Sequence, residues 1–234
     1  MDNNTFSSQQ QLEMQAGVNA YISKIFGTMF FGLLITAIAA FFSATNETMI
    51  NLLWENSLVY AFIIAELVIV FVLSFAITKL SYAVAQIMFY VYAIINGVTL
   101  SSIFWAYDIG TVYTAFLTTS ISFGIMAIYG MVTKKDLTKI GSMLIMLLFG
   151  IVIASLINLF IGSSSFDLII SFISVGVFVG LVAYDTQKLK SYYYMSMNDH
   201  QMQKKIGIMG ALSLYLDFIN IFLSILRILG NKRK

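Results

Sequence analysis

Long apolar runs separated by short polar segments organise this chain. Reading hydrophobic against polar positions gives seven runs, at about 24–43, 57–78, 82–105, 110–131, 140–162, 167–186 and 207–229. Each approaches the ~20 residues that cross a bilayer as an α-helix. Runs such as Ile140–Ile161 lack strand alternation and exceed the ~10-residue strands of a membrane barrel. The pattern predicts an all-α integral membrane protein with seven transmembrane helices. Residues 1–23 are polar and rich in Gln and Asn, so a loose tail is expected there, followed by one membrane domain over 24–234. The tail lacks the basic segment, short apolar core and cleavage site of a signal peptide. Connections are expected to be short except for a 187–206 loop.

The seventh run is the least lipid-like. At 100° per residue, Gly210, Ser213, Asp217, Asn220, Ser224 and Arg227 fall in one sector. Lipid would not tolerate such a stripe, so this helix is expected at the centre of the bundle. Two roles fit it: satisfying the polar groups of neighbouring helices, or lining a hydrated path with Asp217 as its titratable element. Small-residue pairs at Gly150/Ala154, Gly176/Gly180 and Gly207/Ala211 suit close helix packing.

Composition agrees with a membrane class, since 59% of the 234 residues are hydrophobic and 10% charged. Soluble domains carry about 25% charged residues. Cysteine is absent, which removes disulfides, thiolate metal sites and a cysteine nucleophile. A net charge of +2 gives no sign of nucleic-acid binding. Where the charges lie is more informative. With alternating helices, Lys24, Lys79, Lys134, Lys135, Lys139, Lys188, Lys190, Lys204 and Lys205 fall on one side, and Glu47, Glu55, Asp108 and Asp167 on the other. The positive-inside rule then places the N-terminus in the cytoplasm, and the Ile-, Asn- and Lys-rich character suggests a bacterial cytoplasmic membrane. Trp54, Trp105, Tyr107 and Tyr113 would form an outer aromatic belt. The cluster Arg227, Lys232, Arg233 and Lys234 conflicts with seven crossings. Either the last helix crosses despite it, which we favour, or it re-enters.

Glu66, Asp185 and Asp217 lie within or near the ends of apolar runs. A carboxylate in hydrocarbon costs roughly 2.5–3.5 kcal/mol on insertion scales, so such residues mark function. Asp185 would otherwise be a helix-end acid balanced by Lys188 and Lys190. Should the sixth helix extend inward by a turn or two, however, Asp185 and Asp217 meet at comparable depth. Two carboxyls in hydrogen-bonding range cannot both ionise cheaply, so they share a proton and titrate as a unit. That would make a proton-controlled latch.

The segments Gly180-Leu-Val-Ala-Tyr-Asp185-Thr and Ala211-Leu-Ser-Leu-Tyr-Leu-Asp217-Phe-Ile-Asn220 resemble the two signatures of the Bax-inhibitor family, the transmembrane-Bax-inhibitor-motif proteins. The resemblance spans all seven helices. It implies a seven-helix fold with the last helix central and, as in bacterial members, a pH-sensitive calcium leak. Asp185 and Asp217 match the family's paired aspartates, and Glu66 an acid on the second helix of some members. Some relatives carry arginines at the end of that helix. Ile77, Thr78 and Lys79 stand there in this chain, so no arginine gating role is carried over.

Calcium prefers carboxylate, carbonyl and water oxygens. Asp185, Asp217 and Glu66 are the candidate transient ligands, with Asn96, Asn158 and Asn220 as further oxygens. Ser213, Asn220, Arg227 and Glu66 are the expected lining of the path. The partners implied are the lipid bilayer and calcium as permeant ion, with no bound cofactor. Proton transport or structural hydrogen bonding would leave similar acids. An intramembrane aspartyl protease is the enzymatic alternative, but Ser-Leu-Tyr-Leu precedes Asp217 in place of Gly-x-Gly, so no enzyme is expected. A membrane interaction protein that modulates a membrane protease or a stress or cell-death pathway is the other alternative.

Overall fold

Capping sets helix ends that hydropathy does not see. In the computed structural model, which describes residues 8–55 and 58–230 (without the side chains of Ser8, Trp54 and Glu55), the main helices are α1 (Ser8–Thr45), α3 (Leu58–Phe75), α4 (Tyr82–Leu100), α6 (Ile109–Val132), α7 (Thr138–Ile161), α8 (Ser164–Met195) and α9 (His200–Leu229). Short helices α2 (Glu47–Ile50) and α5 (Ile103–Ala106) lie between them. The side chains of Trp54 and Glu55, and Lys232, Arg233 and Lys234 altogether, fall outside what is described, and so do the placements expected for them.

Three expected boundaries change. The polar segment before residue 24 is helical from Ser8 onward and continues α1, instead of forming a loose tail. The expected 187–206 loop shrinks to residues 196–199, because α8 runs to Met195 and Asp199 caps α9 by accepting from the Met202 amide at 2.9 Å. The third span breaks at Ser101 and Ser102, whose hydroxyls donate to the Val98 and Thr99 carbonyls and compete with the helical ladder. At the other helix ends, Ser81, Asp108 and Ser163 each accept from an amide of the first turn. The Thr111 hydroxyl and amide hold the Asp108 carboxyl below the usual carboxylate range. Gly162 ends α7 in the left-handed region at φ 68°, where a side chain would be strained.

The chain is an all-α membrane protein, with seven helices long and apolar enough to cross a bilayer. Its outer surface carries large apolar side chains such as Phe71, Met146 and Phe160, as a lipid-facing surface does. The last helix is the core: Leu214, Tyr215 and Ile221 of α9 are fully buried. It is packed by α8, α6, α1 and α4, while α3 docks on α4 and α7 on α8. So α9 is central, but enclosed by four helices, with α3 and α7 as outliers.

Helix α9 runs the full length of α8. Arg227, near its end, pairs with Asp167 at the start of α8, and Gly230 abuts Tyr107 in the loop before α6. It therefore crosses, and residue 230 lies at the same end as Glu47, Asp108 and Asp167. We call this the acidic end. The opposite, basic end carries the 133–137 and 196–199 connections.

The tightest crossings use glycines other than most of those expected. A Cβ on Gly130 would sit 2.3 Å from the Ala183 carbonyl oxygen, whereas one on Gly150, Gly176 or Gly124 would meet nothing within 4 Å. Of the expected positions, Gly180 lies against Leu144 and Gly207 near Tyr21. Gly130→Ala should therefore destabilise by about 1–3 kcal/mol through overpacking, and Gly124→Ala should not. Thermal midpoints in detergent read the difference, and equal midpoints would refute this account of the α6–α8 crossing.

Candidate functional site

The α9 stripe faces a space that its neighbours leave open. A cavity of about 750 Å³ lies between α7, α8 and α9. Ser213, Asp217, Asn220, Ser224 and Arg227 line it from α9, and Asp167, Ser174, Tyr184, Asp185 and Lys188 from α8. The facing wall of α7 is mainly aliphatic, including Leu148, Ile151 and Val152, with Ser155 and Asn158 towards the acidic end. Gly210 is not part of this lining; it is packed against Leu189.

The lining is as long as a bilayer's hydrocarbon core is thick. Asp167 and Lys188 are 21 residues apart on one helix, or roughly 31 Å at the α-helical rise, close to the ~30 Å of a bilayer's hydrocarbon core. The acidic end carries the Arg227–Asp167 ion pair at 3.6 Å, with both side chains about two-fifths exposed. Towards the basic end, the Ser213 hydroxyl donates to Asp185 Oδ2. A second cavity of about 220 Å³ begins there, reaching Ser74 of α3. Asp185, Lys188, Ser213 and Leu216 line both spaces, so the Ser213–Asp185 bond stands where the two adjoin.

Asp217 lies between these ends and is 5% exposed. Its Oδ2 is buried and has no hydrogen-bond partner among the described residues. The extension of α8 beyond residue 186 brings Asp185 to the same cavity, as the latch requires. The direct carboxyl contact is not made: no hydrogen bond joins the two aspartates among the described residues, because Asp185 is engaged by Ser213, one turn before Asp217. Two negative charges lining one space within the bundle repel each other. A shared proton, or a cation between them, relieves that repulsion.

Glu66 requires a correction. It does not line the cavity with Asp185 and Asp217. The helix that carries it, α3, docks on α4. There Thr99 donates to Glu66 Oε1 at 2.7 Å and Asn96 to Oε2 at 3.1 Å. Tyr215 of α9 donates to Asn96 Oδ1 at 2.9 Å, and its hydroxyl lies 2.6 Å from Thr36 Oγ1 of α1. Glu66 thus belongs to a polar network linking α3, α4, α9 and α1. The three candidate calcium ligands thus lie in two places, Asp185 and Asp217 on the cavity and Glu66 in this network, and no cluster of three or more acidic, His or Cys side chains suited to a metal occurs among the described residues. Of the further oxygens, Asn158 and Asn220 line the cavity and Asn96 serves the Glu66 network.

Sequence reading missed Tyr215 and Thr36 as network members, and Ser174, Tyr184 and Lys188 as lining. Thr36 sits alone in an apolar run, which was the available signal, whereas Tyr215 lies between Ser213 and Asp217 of the polar stripe. Asp167, which the charge pattern places only among the acids of one membrane side, belongs to the lining as well.

A family model described as inhibitor of apoptosis-promoting Bax1 matches residues 18–234. The chain is 43% identical over 228 residues to Inner membrane protein YbhL of Escherichia coli K12, covering 97% of both chains. It is 41% identical over 216 residues to an uncharacterized protein of Borreliella burgdorferi, covering 92% of this chain and 93% of that one. An uncharacterized membrane protein of Streptococcus pyogenes serotype M3 is 39% identical over 221 residues, with 93% and 95% covered. With the signature aspartates on α8 and α9 and the family model matching nearly the whole chain, the chain belongs to the Bax-inhibitor family.

Proposed function

We propose that this protein is a pH-sensitive calcium leak of a bacterial cytoplasmic membrane, with its N-terminus in the cytoplasm, and that it is a conduit with no enzymatic step. The observation that carries the reading is the cavity whose polar lining extends from Asp167 to Lys188, with the unpartnered Asp217 between them. Membrane proteins rarely retain such a group unless it faces a path for ions or protons. Oxygen donors on one side and an aliphatic wall on the other suit a hard cation that must enter and leave again, because a closed ligand cage would hold it too tightly. Asp185 and Asp217 supply the gate: their joint protonation state sets whether the cavity offers a cation two negative charges or fewer. The Arg227–Asp167 pair closes the acidic end, and the Ser213–Asp185 bond separates the two cavities. The inner-membrane name of the E. coli relative and the lysine-rich basic end support the location and orientation.

Vesicles reconstituted with the pure protein and a calcium dye, titrated over about pH 5–8, test the reading. Wild type should admit calcium with a pH-dependent rate. Asp185→Asn and Asp217→Asn should each abolish or shift that dependence, since either removes one member of the titrating pair. Calcium entry equal to that of protein-free vesicles at every pH would sink the proposal.

A further inference from the structure

We propose that the basic end of the bundle holds a binding site for a phosphate group, formed where α1, α4, α8 and α9 meet. A cavity of about 350 Å³ opens there, away from the α7–α9 space. Lys24 of α1 and Lys204 of α9 line it together with Tyr21, Tyr82 and Tyr193, and no acidic side chain does. The site exists because α1 continues below the membrane run and packs against the ends of α8 and α9. Tyr193 meets Gly17 and packs its ring, tilted, 5.7 Å from that of Tyr21, whose hydroxyl donates to the Gln203 carbonyl.

The two lysines carry uncompensated charge. Among the described residues the ion pair made by a lysine or arginine is Arg227–Asp167, at the far end. Neighbouring Lys205 is spent on the Thr78 carbonyl at 2.9 Å. Lys204 lies instead 5.9 Å over the Tyr82 ring, a weak contact that leaves its ammonium donors open. Tyr82 opens α4, so the positive end of that helix dipole adds to the field. Two open ammoniums at one hollow match a phosphate oxyanion. Ile25 and Ile208 also line the hollow, giving it an apolar side. The phosphate can come from an anionic lipid headgroup or from free anion.

Native mass spectrometry of the full chain in neutral detergent, offered equal phosphatidylglycerol and phosphatidylcholine with the same acyl chains, tests the site. Wild type should retain phosphatidylglycerol preferentially. Lys24→Gln/Lys204→Gln should weaken that preference by roughly 25-fold, about five-fold for each lysine near the membrane surface. Lys134→Gln/Lys135→Gln removes equal charge from another basic-end connection and should keep it. Both lysines of the site are exposed, so the thermal midpoint should not move. Displacement of the lipid by inorganic phosphate supports a site for phosphate from either source, and resistance to displacement supports one for a lipid headgroup. Equal retention of the two lipids by wild type, unchanged retention by the site variant, or equal loss in the control variant would overturn the proposal.

Discussion

Asp217→Leu should make the protein more stable by about 1–3 kcal/mol and remove calcium entry together with its pH response. A buried oxygen without a partner costs free energy, and an apolar side chain of similar size relieves that cost and adds packing. Stability and function therefore move in opposite directions at this position, as expected where an acid is kept for what it does. Asp217→Asn should retain most of the polarity and lose only the titration. Thermal midpoints in detergent and vesicle flux, taken on the same preparations, read both effects. A large loss of stability in Asp217→Leu would mean the carboxyl holds the bundle together, and the gate assignment would fail.

The other large effect is expected at Tyr215. Its ring is fully buried and its hydroxyl joins Asn96 and Thr36. Tyr215→Phe leaves the Asn96 carbonyl oxygen short of a donor, at a cost of about 1–3 kcal/mol. Tyr215→Ala adds a cavity, for a total nearer 3–5 kcal/mol. Glu66→Gln disturbs the same network, so combining it with Tyr215→Phe should cost less than the sum of the single changes. The pH profile of calcium entry should survive Tyr215→Phe, because the hydroxyl lies outside the cavity. Strict additivity of the pair would show that Glu66 and Tyr215 are not linked through Asn96.

Much of this architecture was legible in the order of residues. Run length gave the seven spans, and the α9 stripe predicted both a central helix and a shared facing direction for Ser213, Asp217, Asn220, Ser224 and Arg227. What escaped was set by contacts at long sequence separation. Glu66 looked like a third path acid because periodicity cannot show on which neighbour α3 docks. Its donors, Asn96 and Thr99, lie 30 and 33 residues away. The helical start of α1 and the continuation of α8 were missed for a different reason. Both extend beyond the hydrocarbon, where polar residues in a helix carry no penalty and hydropathy loses its signal. The tight glycines at 130 and 141 were hidden because their partners, Ala183 and Tyr184, are known only once α6, α7 and α8 are assembled.

Helix α7 has a consequence for the role of the membrane itself. Its buried residues, Gly141 and Leu144, both lie in its first two turns. There Gly141 seats the Tyr184 ring, Leu144 rests on Gly180, and Gln187 bonds the Lys135 carbonyl and the Leu137 amide. Beyond Leu144 no residue of the helix is fully buried; Leu148 and Ile151 are half-buried against the core, and the outer face is apolar and exposed. Lateral pressure of the acyl chains therefore adds to a sparse side-chain scaffold along this wall. The width of the space beside Asp217 is then a joint property of chain and bilayer, and a thinner or more loosely packed membrane will change it with no residue altered.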